Sequence, residues 1–171
     1  ERLDQAVGGA RLDRQAGVEH DLLAQPLRLD GEELNLSRVL VNGQGTSFKI
    51  DGGQLVLENL PEGNEPFDLE IFTTCAPAKN TKLMGLYVSN DSFFTQCEAE
   101  GFRRITYFRD RPDVMASYTV TLRADKARYP VLLSNGNLVE QGDLADEEAT
   151  RRAGESVAER SGVAKSVSLS K

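Results

Sequence analysis

The sequence predicts a mainly β protein, an antiparallel sandwich or open curved sheet, and three observations lead there. Short runs of alternating apolar and polar residues recur at roughly ten-residue spacing from residue 26 to 141, the rhythm of an all-β domain. The runs are separated by turn sequences such as Asn42-Gly43, Asp51-Gly52-Gly53 and Asn135-Gly136, which tolerate the backbone conformations of tight turns. Both flanks change character: residues 1–25 alternate charge with Ala and Gly, and from Ala145 onward large apolar residues almost vanish.

Taken in order, Leu27 and Leu29 alternate with polar neighbours before Asp30-Gly31 turns the chain. Leu36 to Val41 is a second strand, ended by Asn42-Gly43. Phe48 and Ile50 flank Lys49 in a third. Leu55 and Leu57 point to one face and Val56 to the other, so this strand is expected to be buried on both sides until Pro61 stops it. Phe67, Leu69 and Ile71 alternate with Asp68, Glu70 and Phe72, giving one apolar face. Beyond Asn80, Leu83, Leu86 and Phe93 are expected to anchor the chain, while Gly85 and Gly101 permit close backbone approach. Ile105 to Phe108 is expected to be a short strand, and Val114–Ala116 one helical turn behind Arg111-Pro112-Asp113. Tyr118, Val120 and Leu122 mark a strand. Tyr129 to Leu133 is expected to pair with Leu138-Val139 across Asn135-Gly136. Residues 1–25 are expected to be a low-order segment or weak helix. Residues 145–171 are expected to be a charged tail, either disordered or a fraying helix around Glu147–Arg160 broken by Gly154. The β domain then occupies residues 26–144.

Composition narrows the function. A length of 171 residues suits one domain with a tail, and 39% hydrophobic with 6% aromatic residues leaves part of the chain outside a core. A net charge of −7 argues against a duplex nucleic-acid binder, which needs a basic face for phosphates. No apolar stretch approaches the ~20 residues of a membrane span. The opening ERLDQAVGGARLDRQAG shows no secretory signal pattern, so a cytoplasmic setting is expected, or an organelle if a targeting segment is missing, with Cys75 and Cys97 as reduced thiols. A zinc centre takes three or four ligands. The sequence has one histidine, His20, remote from either cysteine, and lacks H-E-x-x-H, so no metal site is expected in this chain. Asp143, Asp146, Glu147 and Glu148 resemble a calcium loop only in charge, since the Gly of its sharp turn is missing.

Chemistry concentrates in FTQCEAEGFRRITYFRDRPD, Phe94 to Asp113. In an extended chain Gln96, Glu98 and Glu100 share one face. Amide and carboxylate oxygens match a primary ammonium, which has three donors and no acceptor. The same carboxylates fit a general acid and base, or ligands for a hard cation. They equally fit ion pairs with Arg103, Arg104, Arg109 or Arg111. The run Arg109 to Asp113 fits either an anion site or a turn held by local ion pairs.

The pieces KNTKLMGLYVSND and FFTQCEAEGFRRITYFRDRPDVMASYTVTLRADKARYPVLLSNGNLVEQGDL closely resemble the N-terminal domain of the aminopeptidase N (alanyl aminopeptidase) family of zinc metallopeptidases. PLRLDGEELNL, from Pro26, resembles it more loosely. The resemblance implies a saddle-like β domain leaning over a thermolysin-like catalytic domain, with the Gln-Cys-Glu-Ala-Glu loop lining the substrate pocket. It implies that Glu98 holds the α-amino group of a peptide and that Gln96 lines the pocket for the first side chain. Glu100 is expected to pair with a neighbouring arginine, and Cys97 to pack on the opposite face. The resemblance stops short of residues 1–25 and fades near Asp146, so a domain truncated at both ends is expected. No catalytic residue and no cofactor are expected in this chain itself. Zinc is expected in the catalytic domain of an intact parent, and the chain is not expected to be active alone. Expected partners are peptide N-termini and the missing catalytic domain. Unpaired sheet edges imply marginal stability or self-association. The alternative is a stand-alone β-sheet interaction module that has lost catalysis and binds peptides or a partner enzyme through open edges. A more distant one is a hydrolase using Glu98 and Glu100.

Overall fold

The computed structural model describes residues 6–12, 26–63, 66–114, 118–144 and 164–170. They fall into two units, Glu1–Val114 and Met115–Lys171. The first contains β1 (Ala6–Leu12), β2 (Leu27–Asp30), β3 (Asn35–Val41), β4 (Gln44–Gly45), β5 (Lys49–Asp51), β6 (Gln54–Leu57), β7 (Phe67–Thr74), β8 (Gly85–Ser89) and β9 (Ser92–Gln96). Every pairing is antiparallel: a four-stranded sheet β1-β7-β3-β4, a three-stranded sheet β2-β6-β5, and the β8-β9 hairpin.

Side-chain alternation builds the core. On β7, Phe67, Leu69, Ile71 and Thr73 are buried while the residues between them are not. Register places Val39 opposite Ile71 and Val41 opposite Leu69, so β3 adds its own buried face. Leu29 of β2 lies opposite Leu55 of β6. Leu55, Val56 and Leu57 are all buried, so β6 is covered on both faces as its sequence requires. Leu29, Val39, Val41, Leu55, Leu57, Phe67, Leu69, Ile71 and Tyr107 form one apolar cluster. The β3–β4 turn is Asn42-Gly43, both at positive φ, and Asn42 Oδ1 accepts the Asp68 N–H at 2.9 Å, tying the turn to β7.

The second unit is a three-stranded antiparallel sheet of order β10-β12-β11, built from β10 (Thr119–Asp125), β11 (Asn137–Leu144) and β12 (Ala164–Ser170). Val131, Leu133, Leu138 and Val139 are exposed there. Among the described residues no helix is long and apolar enough to cross a membrane.

Several local expectations need correction. Ala6–Leu12 is a strand paired along β7, not a weak helix, and Ala164–Ser170 of the tail is the central strand of its sheet. A neighbouring strand's ladder decides both, where local composition pointed to low order. Ile105 to Phe108 forms no strand: Phe102–Arg104 is a 3-10 turn, and only Phe108 bridges to Asp30. Residues 129–133 form no strand either, and β11 pairs with β12 instead of with them. Leu83 anchors nothing, being 56% exposed. Val114 is not helical; residues 115–117, the helix expected at Glu147–Arg160, and His20 lie outside the described residues.

Candidate functional site

The β8–β9 hairpin turns at Asn90-Asp91, both at positive φ, and Tyr87 stacks on Phe94 with ring centroids 5.9 Å apart. Register pairs Gly85 with Gln96 at the open end of the hairpin. There β9 ends. Residues 98–100 bend, the Glu98–Ala99 peptide bond is cis, and the chain enters the 3-10 turn through Gly101. The extended run that would line up Gln96, Glu98 and Glu100 is therefore replaced by a loop.

Two glycines allow this loop to close on the hairpin. A Cβ on Gly101, whose φ is +145°, would lie 2.8 Å from Met84 Cγ and 3.1 Å from the Gln96 carbonyl oxygen. One on Gly85, at φ +71°, would lie 2.5 Å from Arg104 Cβ. No side chain fits either place without displacing its neighbours.

A buried carboxylate fixes the loop's far end. Asp110 is 6% exposed, and its Oδ2 accepts the Gly101 N–H at 2.8 Å, the Arg103 N–H at 3.2 Å and Arg103 Nε–H at 2.6 Å. Burial by itself pushes this carboxyl up, but the hydrogen bonds from Gly101 and Arg103, with the Arg103 charge, together hold it below the usual aspartate range. Asp110 is in turn held to the core: its N–H donates to Asp30 Oδ2 at 3.3 Å, and Asp30 and Phe108 exchange backbone hydrogen bonds of 2.8 and 3.0 Å. Gln54 Nε2–H donates to Asp30 Oδ1 at 2.9 Å, so the chain of contacts ends on β6.

Arg104 works on the other side. Its guanidinium is buried and pairs with Glu32 and Glu33 of the β2–β3 loop, and Lys82 also donates to Glu32, at 2.6 Å. The Lys82 hydrogen bond foremost, with the Arg104 charge, holds Glu32 below the usual glutamate range against modest burial. Asn80 Nδ2–H donates to the Met84 and Leu86 carbonyls at 2.7 and 2.9 Å, bracing the entry to β8.

The predicted site residues separate sharply in this setting. Gln96 is exposed and donates to the Glu98 carbonyl at 3.4 Å. Glu100 pairs with Arg103, as its neighbours implied. Glu98 is exposed, and its carboxylate makes no ion pair or hydrogen bond with any described residue. Cys97 is half-buried, and burial foremost, with the nearby Asp110 charge, pushes its thiol up. Cys75 is likewise a free, half-buried thiol raised by burial. The run after Arg109 resolves into two different things. Asp113 pairs with Arg111 at the surface, while Asp110 is the buried keystone of the loop. Sequence reasoning missed that role because an acid between two arginines looks like a surface ion pair. Chemically, the loop offers one carboxylate that no described residue engages, beside an amide, an acceptor set for a cationic donor group. With Glu100 committed to Arg103, the loop lacks the second free carboxylate of an acid–base pair.

The sequence pattern of the Peptidase M1 N-terminal domain matches residues 23–157. The chain belongs to that family. It is 53% identical over 128 residues to aminopeptidase N of Escherichia coli (strain K12), a match covering 74% of this chain and 14% of that protein. It is 48% identical over 124 residues to aminopeptidase N of Haemophilus influenzae, covering 72% and 14%. Among solved structures it resembles Legionella pneumophila aminopeptidase A in complex with aspartic acid, with TM-score 0.70 and 31% identity over 86% of this chain and 15% of that one. Native leukotriene A4 hydrolase of Saccharomyces cerevisiae shares the fold, with TM-score 0.59 and 19% identity over 98% of this chain and 24% of that one. The chain thus spans 14% of the length of the aminopeptidase N relatives it matches.

Further structural neighbours that share the fold are named M1 zinc metallopeptidases. Among the described residues no group of three or more His, Cys, Asp or Glu is placed to hold a metal ion. The donor set among the described residues does not fit a zinc centre.

Proposed function

We propose that this domain contributes the α-amino anchor and part of the first-side-chain wall to a larger zinc aminopeptidase that removes N-terminal residues from peptides. The observation that carries the reading is the contrast between the two glutamates of one loop: Glu100 is held by Arg103, whereas Glu98 is exposed and its carboxylate engaged by no other described residue. A carboxylate fixed on a buried framework rewards a substrate only where an ammonium meets it, which is the selectivity of an exopeptidase. Gln96, beside it, would meet the first side chain. Structural neighbours with this fold are described as bound to L-arginine, or to a Tyr-Ser-Ala substrate, and the Legionella relative as bound to aspartic acid. Each of those ligands carries a free α-amino group. The domain's partners in this reading are peptide N-termini and a catalytic domain that brings the zinc, in a cytoplasmic setting.

In the full-length aminopeptidase that carries this domain, Glu98→Ala should lower kcat/KM for an aminoacyl reporter by about 10- to 100-fold, the loss of one hydrogen-bonded charge contact. Unchanged kcat/KM would remove Glu98 from substrate binding. An antibody raised against residues 86–140 should detect, in source extract, a protein far larger than 171 residues. A band at the chain's own size would favour the stand-alone module.

A further inference from the structure

We propose that Asp110 is the positioning residue of the anchor loop, setting the place of Glu98 without touching substrate. The inference rests on the reading of Glu98 given above. Little within the loop fixes it: Gln96, Glu98, Ala99 and Glu100 are all exposed, Cys97 is only half-buried, the contact from Gln96 to the Glu98 carbonyl is 3.4 Å long, and the pair made by Glu100 runs to Arg103, itself held by Asp110. The loop is fixed at its two ends. At one end Gln96 completes the β8–β9 ladder opposite Gly85. At the other, Asp110 Oδ2 receives the Gly101 N–H, the Arg103 N–H and Arg103 Nε–H together.

Two further features make this clamp specific to position and not merely to folding. Arg103 is shared: while Nε–H donates to Asp110, Nη2–H donates to Glu100. One guanidinium therefore joins the buried acid to the exposed loop and also neutralises the carboxylate that would otherwise compete with Glu98 for an ammonium. The clamp is also grounded in the sheet, through Asp30 to Gln54. Asp110 lies twelve residues beyond Glu98 in sequence, yet it joins the core to the loop's C-terminal end, while the Glu32 N–H to Arg103 carbonyl bond of 2.9 Å and the pairs of Arg104 with Glu32 and Glu33 brace the same turn from the β2–β3 loop. A loop held this way presents Glu98 at a fixed distance from whatever it faces, and small misplacements of such groups have large kinetic effects.

The test is a double-mutant cycle in the full-length enzyme with an aminoacyl reporter, comparing Asp110→Asn, Glu98→Ala and the pair. Asparagine keeps the volume but puts no charge against Arg103. We expect D110N to raise KM by about 5- to 20-fold with kcat changed less than about 3-fold, and to add less than about 2-fold to the KM of E98A. A residue that only supports folding would lower the active fraction, reducing kcat at unchanged KM, and its effect would persist in the E98A background. Either result, or a wild-type KM in D110N, overturns the proposal while leaving the role of Glu98 intact. A wild-type KM in E98A itself would sink the anchor reading and this inference with it. Should D110N fail to fold, Arg103→Gln answers the same question, since it leaves the Gly101 N–H bond to Asp110 in place. It should raise KM by about 3-fold or more in the wild-type background and add nothing beyond E98A. An unchanged KM there, or an additive one, counts against Asp110 and its arginine as positioning groups.

Discussion

The apolar centre of the Glu1–Val114 unit and the Gln96–Asp110 loop beside it are held by opposite means. In the centre, β6 buries three consecutive side chains and β7 buries every second one, so the strands are fixed by area removed from water. In the loop nearly every side chain from Gln96 to Glu100 is at the surface, and what fixes it is one buried carboxylate and the arginine beside it. The lesson is that a site can inherit rigidity from a core it does not belong to, through a few hydrogen bonds whose loss is felt in position more than in stability.

The sharpest way to test the first half is Leu55→Ala. Leu55 is 0% exposed at the middle of β6, and its truncation leaves a cavity covered on both faces. It should lower the unfolding free energy by about 2–5 kcal/mol in urea titrations. A loss below about 1 kcal/mol would mean that β6 is not a closed core strand. Overfilling should act in the same region: a Cβ at Gly31 would sit 2.1 Å from Tyr107 Cε1, so Gly31→Ala should cost about 1–3 kcal/mol by pushing Tyr107 out of the cluster.

These two regions also differ in how far the sequence discloses them. Leu55-Val56-Leu57 and Phe67 to Ile71 declare their burial, because a period of two written in large apolar residues has one structural solution. Asn42-Gly43 declares its turn for the same local reason. The site is legible only in part. The acids of Gln96 to Glu100 stand out, and the pairing of Glu100 with a nearby arginine follows from proximity. The strand expected across them does not form, since the alternation of polar residues carries no burial to enforce it. Asp110 is not legible as a keystone, because Asp30 is distant in sequence and the nearer Gly101 N–H turns toward it only once the 3-10 turn is in place. Strands β1 and β12 were hidden likewise: each is specified by the partner it lies along.

The loop half of the comparison is sharpened by acid. Asp110→Asn should cost about 1–3 kcal/mol near neutral pH, where a charged acceptor for buried donors is lost. Because the native carboxyl is held below its ordinary value of about 3.9, its contribution is fully present above that pH. It fades as pH falls below about 4 toward the lower native value. The gap in urea midpoint between wild type and D110N should therefore narrow from pH 6 to pH 3. Glu32, also held low, keeps acid sensitivity in both proteins, so the difference between them is the informative quantity. A gap that stays constant or widens in acid would mean that the Asp110 charge does not hold the loop.

The smallest expected effect is the most discriminating one. Glu98→Gln replaces an exposed carboxylate that no described residue engages. Its urea midpoint should correspond to a change within about 0.5 kcal/mol of wild type, as for surface positions without partners. A larger loss would reveal an intramolecular role for Glu98, and its availability to an incoming ammonium would then be in question. A larger gain would point the same way as an unpaired charge in an acidic protein, since removing one unit from a net charge of −7 relieves self-repulsion. Stability unchanged together with a raised KM in the full-length enzyme is the signature of a group kept free for a ligand, on a loop whose rigidity is supplied from elsewhere.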